Sequence, residues 1–156
     1  SIAPFRWDIF ARGGDPAHAD SDKRGDVRGD AYGSPDGLWF DPRGLLWIQT
    51  DVSTSTLNKG DYANLGNNMM LAADVATGET RRFLVGPAGC EVTGVVMTPD
   101  LTTMFVDIQH PGESPSERAD PDRPKAISSW PDGPSGGRPR SATIVVRRRD
   151  GGIVGS

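Results

Sequence analysis

The sequence has a single cysteine, fewer cationic than acidic residues and no long apolar run. Cys90 has no second cysteine to pair with, which excludes an intrachain disulfide. No stretch approaches the ~18 to 20 apolar residues of a membrane-spanning helix, so no transmembrane segment is predicted. The 17 Lys and Arg are outnumbered by 21 Asp and Glu, and this net charge of −4 argues against a nucleic-acid partner.

Core-forming residues are also scarce, whereas turn-forming residues are abundant. Hydrophobic residues make up 35% of the 156 residues, and the chain contains 20 glycines and 13 prolines. Glycine and proline interrupt helices but suit the turns between short strands. The composition therefore predicts an all-β fold with little helix.

A strand-turn-strand pattern occurs twice. Gly37 aligns with Gly94 and Pro42 with Pro99, a shift of 57 residues. Apolar strands joined by Pro-containing turns at such a spacing are typical of β-propeller blades, and a blade packs against neighbouring blades. We therefore predict about two four-stranded antiparallel blades, which are part of a larger ring.

The pattern divides the chain into three parts. Residues 1–11 are predicted to contain the last strand of a preceding blade, with Phe5, Trp7 and Ile9 on one face of residues 4–11. A polar loop is expected over residues 12–33. The predicted strands of the first complete blade, 34–90, are 38–41, 45–50, 68–74 and 80–85. Those of the second, nearly complete blade, 91–156, are 92–98, 103–109, 142–148 and the opening of a fourth at 153–154, with a long surface loop at 110–140.

Two carboxylates are placed near the starts of the innermost strands, which line the channel of a propeller. Asp36 directly precedes a strand, although Ser-Pro-Asp-Gly is also good turn chemistry. Glu91 takes the analogous place in the second repeat, where burial is costly unless the carboxylate is paired or bound to a cation. Together they would form an oxygen-rich site suited to Ca²⁺.

Three further residues have both functional and structural interpretations. Asn68 could ligate a cation, but asparagine is also common in turns before strands. His110 could contact a phosphate or act as an acid, yet a lone histidine is more often structural. Cys90 is interpreted as core packing, because neighbours on a strand face opposite ways.

Seven segments match one known family. They are residues 34–44, 46–51, 66–70, 86–94 and 106–113, followed by 130–133 and 138–143. Together they closely resemble the PhoX family of bacterial alkaline phosphatases, over most of residues 4–154. The last two segments resemble that family's C-terminal end.

The resemblance implies a periplasmic or secreted, metal-dependent phosphomonoesterase built on a six-bladed propeller, with Ca²⁺ and Fe³⁺ at its centre. By motif position, Asp36 and Glu91 match acidic metal ligands, and Asn68 and His110 lie in matching motifs as additional metal or phosphate contacts. Proteins of that family are much longer, so we expect this chain to be roughly their C-terminal quarter. Its partners would be a phosphate monoester and the remaining blades. Alone, we expect it to be inactive and to self-associate.

Two other functions remain open at this point. A non-catalytic propeller module for binding or scaffolding needs no metal cluster. A lactonase-type propeller hydrolase also places Ca²⁺ on the axis. The pairing of segments 89–94 and 109–113 favours the phosphatase.

Overall fold

The computed structural model describes residues 4–114 and 120–156, which consist almost entirely of strands, turns and loops. The strands are β1 Arg28–Gly29, β2 Pro35–Phe40, β3 Leu45–Thr50, β4 Met69–Asp74, β5 Glu79–Val85, β6 Glu91–Met97, β7 Thr103–Gln109 and β8 Ala142–Arg147. Two short 3-10 helices span Ser21–Lys23 and Gly60–Tyr62. The predicted all-β class with little helix is confirmed.

The strands form two sheets. The first has five strands in the order β1-β5-β4-β3-β2, and the second has three in the order β6-β7-β8. Within 34–90 and 91–147 each strand pairs with the next in antiparallel fashion. Short turns join β2 to β3, β4 to β5 and β6 to β7, whereas long segments join β3 to β4 and β7 to β8. Seven predicted strands are present, with bounds shifted by at most three residues.

The two sheets share an irregularity that follows the sequence repeat. The register shifts at Gly37 in β2 and again at Gly94 in β6. A Cβ atom on Gly37 would clash with Oε1 of Gln49, and one on Gly94 would lie 2.6 Å from Oδ2 of Asp107. Each glycine therefore lets a neighbouring polar side chain approach the bulged backbone.

The main core lies between the sheets. Its buried members are Trp47, Met70, Cys90, Val92, Met104, Val106, Ile108 and Val154. A second core lies on the opposite face of the first sheet, where Ile48 and Leu71 pack near Tyr32. Because side chains alternate along a strand, β3 contributes Trp47 to one core and Ile48 to the other.

Two predicted strands are absent. Residues 4–11 form no strand, since no described strand lies beside them to pair with, and Phe5 and Trp7 are 84% and 79% exposed. Residues 1–3 lie outside the described part. Residues 153–154 also form no strand, because the Val154 backbone bonds to the β6–β7 turn and to an arginine side chain and not to a neighbouring strand. The Val154 amide donates to Leu101 O at 3.0 Å, and its carbonyl accepts from Arg43 Nη2 at 2.9 Å.

Two connecting segments also differ from their expected form. The polar loop 12–33 contains β1, which pairs in parallel with β5, and it also supplies Tyr32 to the second core. In the loop at 110–140, Trp130 packs against the main core, while residues 115–119 lie outside the described part. Among the described residues, no helix is long and apolar enough to cross a bilayer.

Candidate functional site

One end of the two sheets gathers most of the predicted site residues. The antiparallel order brings the starts of β4 and β6 and the end of β7 to this end. Asn68 Nδ2 donates to the carbonyl of Cys90 at 2.9 Å and so joins the two sheets directly before Glu91. We call this the site end.

Glu91 is the best-enclosed carboxylate there. The residue is 8% exposed, and its Oε2 accepts a 2.8 Å hydrogen bond from Nε2 of Gln109. His110 Nε2 lies 3.4 Å from the same oxygen. Glu91 and Gln109 are directly opposite each other on β6 and β7, so the hairpin register fixes this contact.

His110 links Glu91 to a second carboxylate. Its Nδ1 lies 3.7 Å from Oε2 of Glu113, which also accepts a hydrogen bond from Thr54 Oγ1 at 3.1 Å. The His110 backbone is left-handed with φ 37°, and its amide donates to Oγ of Ser141 at 2.9 Å. Nδ1 is buried and has no hydrogen-bond partner in the part of the chain that the structure describes. A strained, anchored backbone thus holds the imidazole between two acids.

Asp36 is placed differently from Glu91. Its side chain is exposed, and it makes none of the hydrogen bonds or ion pairs found among residues 4–114 and 120–156. The 57-residue shift aligns Glu91 with Ser34, whose carbonyl accepts from the amide of Asp51 at 3.0 Å. Asp36 aligns instead with Thr93. The two acids are therefore not at equivalent positions of the repeat.

Asn68 has a structural use of its side chain. Its Oδ1 accepts from the amide of Val52 at 2.7 Å and from Oγ1 of Thr50 at 3.1 Å. Its Nδ2 donates to the carbonyls of Val52 and Cys90, both at 2.9 Å. The buried amide of Asn68 therefore connects the end of β3 to the start of β6 and fixes the backbone directly before Glu91.

Cys90 behaves as a buried packing residue. Burial raises the pKa of its thiol from 9.0 to about 12, so the side chain stays protonated near neutral pH. This agrees with its place in the main core.

Local sequence patterns do not single out Gln109, Glu113 or Thr54 as site residues. Gln109 could have been found by pairing β6 with β7, since the hairpin places it opposite Glu91. Thr54 reaches Glu113 across 59 residues, and no local signal reports that contact.

The donor set is incomplete for a metal centre. Among the described residues, no three side chains of His, Cys, Asp or Glu come together as a group that could hold a metal ion. The oxygens of Glu91 are nevertheless of the kind that Ca²⁺ and Fe³⁺ accept. This chain thus fits the role of supplying part of a cation site.

Comparison with known proteins gives a consistent result. The family model described as alkaline phosphatase PhoX matches residues 1–112. A search of curated proteins finds no match. The fold is similar to the solved structure of Pseudomonas fluorescens PhoX in complex with vanadate, a transition state analogue, with a TM-score of 0.78 and 47% identity.

That alignment covers 94% of this chain but 24% of the Pseudomonas fluorescens protein, so the chain spans about a quarter of its relative's length. The range matched by the family model includes both Glu91 and His110. The chain belongs to the PhoX family of alkaline phosphatases.

Proposed function

We propose that this chain is the C-terminal portion of a metal-dependent phosphomonoesterase. The observation that carries the proposal is the enclosed carboxylate of Glu91, held by Gln109 and His110 in a chain of this family. A buried carboxylate is costly unless it is paired or bound to a cation. The relative's structure contains vanadate, described as a transition state analogue, and this supports phosphoryl transfer as the chemistry of the complete protein.

The two sheets would be successive blades of a six-bladed propeller. The repeated bulges at Gly37 and Gly94 support this. The remaining blades would supply the rest of the site. Periplasmic or secreted localisation remains part of the proposal.

In the site, Glu91 would provide oxygen ligands to Ca²⁺ or Fe³⁺, with Asp36 as a second acidic donor once the neighbouring blades are in place. When bound, the cations neutralise phosphate oxygens and favour attack by an oxygen nucleophile. Gln109 orients the Glu91 carboxylate through its amide. His110, between Glu91 and Glu113, would contact the phosphate or hold a proton at Nδ1. Asn68 would contribute only by supporting Glu91, since both its Oδ1 and its Nδ2 are already hydrogen-bonded within the chain.

The family match favours this function over a lactonase-type hydrolase or a scaffold module. The test is hydrolysis of p-nitrophenyl phosphate with added Ca²⁺, by the complete polypeptide that contains these residues and by the 156-residue chain alone. We expect turnover by the complete polypeptide, lost on treatment with a chelator, and none by the chain alone. A complete polypeptide that is inactive at every metal condition would refute the proposal.

A further inference from the structure

A recess opens at the site end beside Glu113. It has a volume of about 410 Å³, which lies within the range of small-molecule sites. Its lining includes Thr54, Leu57, Lys59, Ala88, Glu113 and Ile127. These residues come from loops at both sheets, so the recess lies where the connections of the two sheets meet.

The recess adjoins the Glu91 cluster through one residue. Glu113 lines it, and Oε2 of Glu113 is 3.7 Å from Nδ1 of His110, whose Nε2 is 3.4 Å from Glu91. A phosphoryl group held near Glu91 would therefore have this recess as a neighbour. The ester oxygen carries the leaving alcohol away from the phosphorus, and that alcohol needs a place of its own.

The chemistry of the lining is uneven. Leu57, Ala88 and Ile127 are apolar, and Ile127 is 40% exposed. Lys59 is the cation of the lining, and its Nζ contacts the carbonyl of Ser55 at 3.4 Å. No carboxylate lies within ion-pair distance of Lys59 among residues 4–114 and 120–156.

Glu113, the acid of the lining, is engaged by Thr54 Oγ1 and directed at His110. Its charge is thereby partly satisfied within the cluster, whereas the ammonium of Lys59 is available to a ligand. An apolar wall with an available cation suits a group that is apolar in its body and anionic at its rim.

We propose that this recess binds the leaving group of the phosphate ester and favours alcohols with an apolar body and a negative charge. The proposal rests on the proposed function, since it assigns the substrate class of that same site. Hydrolysis converts the ester and water into the alcohol and inorganic phosphate, and the recess would hold the alcohol portion.

The test uses the complete polypeptide and two esters, phenyl phosphate and 4-carboxyphenyl phosphate. We expect Lys59→Gln to lower the preference for the carboxylated ester, measured as the ratio of kcat/KM values, about fivefold through a higher KM. Leu57→Ser should raise KM for both esters. The charge-matched control is Arg149→Gln, because Arg149 is exposed beyond the other end of β8.

Inorganic phosphate serves as an internal probe, since it has no leaving group. Its inhibition constant should be the same with Lys59→Gln as with the unaltered protein. If Lys59→Gln leaves the preference ratio of an active enzyme unchanged, the proposed leaving-group site is refuted, while the proposed phosphatase function stands. An inhibition constant for phosphate that rises with Lys59→Gln also refutes the leaving-group site, because Lys59 would then contact the phosphoryl group. If the unaltered polypeptide hydrolyses neither ester, the proposed function fails and this inference fails with it.

Discussion

Gln109 holds Glu91 from the directly opposite position of the β6–β7 hairpin, with 2.8 Å between Nε2 and Oε2. His110 lies next in sequence and approaches the same oxygen. One strand end thus fixes the direction of a carboxylate that is only 8% exposed. Supporting residues of this kind set the orientation of a ligand before the ligand meets its cation.

Replacing Gln109 should weaken the proposed metal site at Glu91 without abolishing it. In the complete polypeptide, Gln109→Leu should lower metal affinity or turnover by roughly 10- to 100-fold, because Glu91 loses its oriented donor. Glu91→Gln should cost more than this, since a neutral amide is a poorer ligand. Turnover of p-nitrophenyl phosphate at varied Ca²⁺, with metal content by mass spectrometry, measures both variants.

The matched control is Glu79→Gln in β5, where the carboxylate pairs with Arg81 on an exposed surface. It should leave turnover unchanged. If Glu91→Gln and Glu79→Gln behave alike, Glu91 is not part of the metal site.

Asn68 gives a stability prediction that needs no enzyme activity. Asn68→Ala removes an Oδ1 that accepts two hydrogen bonds and an Nδ2 that donates two, and it leaves the amide of Val52 and the carbonyl of Cys90 without partners. At 1 to 3 kcal/mol for each buried unsatisfied group, the free energy of unfolding should fall by about 3 kcal/mol. Urea denaturation followed by tryptophan fluorescence measures this change.

Asn67→Ala tests the neighbouring amide, which is half-buried and donates to the carbonyls of Gly86 and Pro87. Its loss should be smaller, because water can reach the groups that it leaves. An Asn68→Ala variant as stable as Asn67→Ala would show that the bridge between the sheets contributes little.

The strands could be predicted from the sequence because their signals are local. Alternating apolar residues and Pro or Gly turns define each hairpin. Because the pattern repeats after 57 residues, it predicts corresponding strands in the two sheets. Residues 4–11 have the same alternation yet form no strand, since a strand also needs a partner beside it. The strand predicted at residues 153–154 is absent for a related reason, since the Val154 backbone bonds to Leu101 in a turn and to the Arg43 side chain and not to a strand.

The site was predictable in part for the same reason. Glu91 and His110 come together because one hairpin joins their strands. Asp36 was expected to match Glu91, but the register aligns Glu91 with Ser34 instead. In the sequence, Asn68 could be either a cation ligand or a turn residue before a strand. Its partners Val52 and Cys90 are brought to it only by the fold.

Asp41 predicts a pH dependence of stability. Burial acts to raise the pKa of its carboxyl, but hydrogen bonds from Arg43, the Leu45 amide and Trp47 Nε1 outweigh burial and hold the pKa below its usual 3.8. A lowered folded-state pKa contributes stability above the usual value, and that stability is lost as the pH falls through the folded-state pKa. At pH 7, Asp41→Asn should destabilise the chain by about 2 kcal/mol, because its amide would face donors. At pH 3, which is below the usual 3.8, the difference should be smaller.

Urea denaturation at both pH values measures the effect, with Asp150→Asn as control. The pKa of Asp150 is also lowered, chiefly by Arg148, but its side chain is exposed and solvent screens the pair. A smaller change is expected there. A difference between the Asp41→Asn and unaltered chains that is the same at pH 3 and pH 7 would contradict the charge-based explanation.

The exposed apolar stripe of residues 4–11 predicts self-association of the isolated chain. Phe5, Trp7 and Ile9 are 84%, 79% and 63% exposed. Exposed apolar surface of this kind favours association with a neighbouring sheet or with a second copy of the chain. The triple variant Phe5→Ser, Trp7→Ser, Ile9→Ser should therefore shift the chain from oligomers toward monomer in sedimentation velocity runs.

A second exposed apolar surface, on β2 at the edge of the first sheet, could also drive self-association. Leu38 and Phe40 on β2 are 64% and 57% exposed, so Leu38→Ser with Phe40→Ser is the matched variant. If association depends on residues 4–11, this double variant should still form oligomers. Dissociation by the β2 variant alone would place the contact at β2, whose one hydrogen-bonded neighbour in the described sheet is β3. A chain that is monomeric before any substitution would show that neither apolar surface drives association.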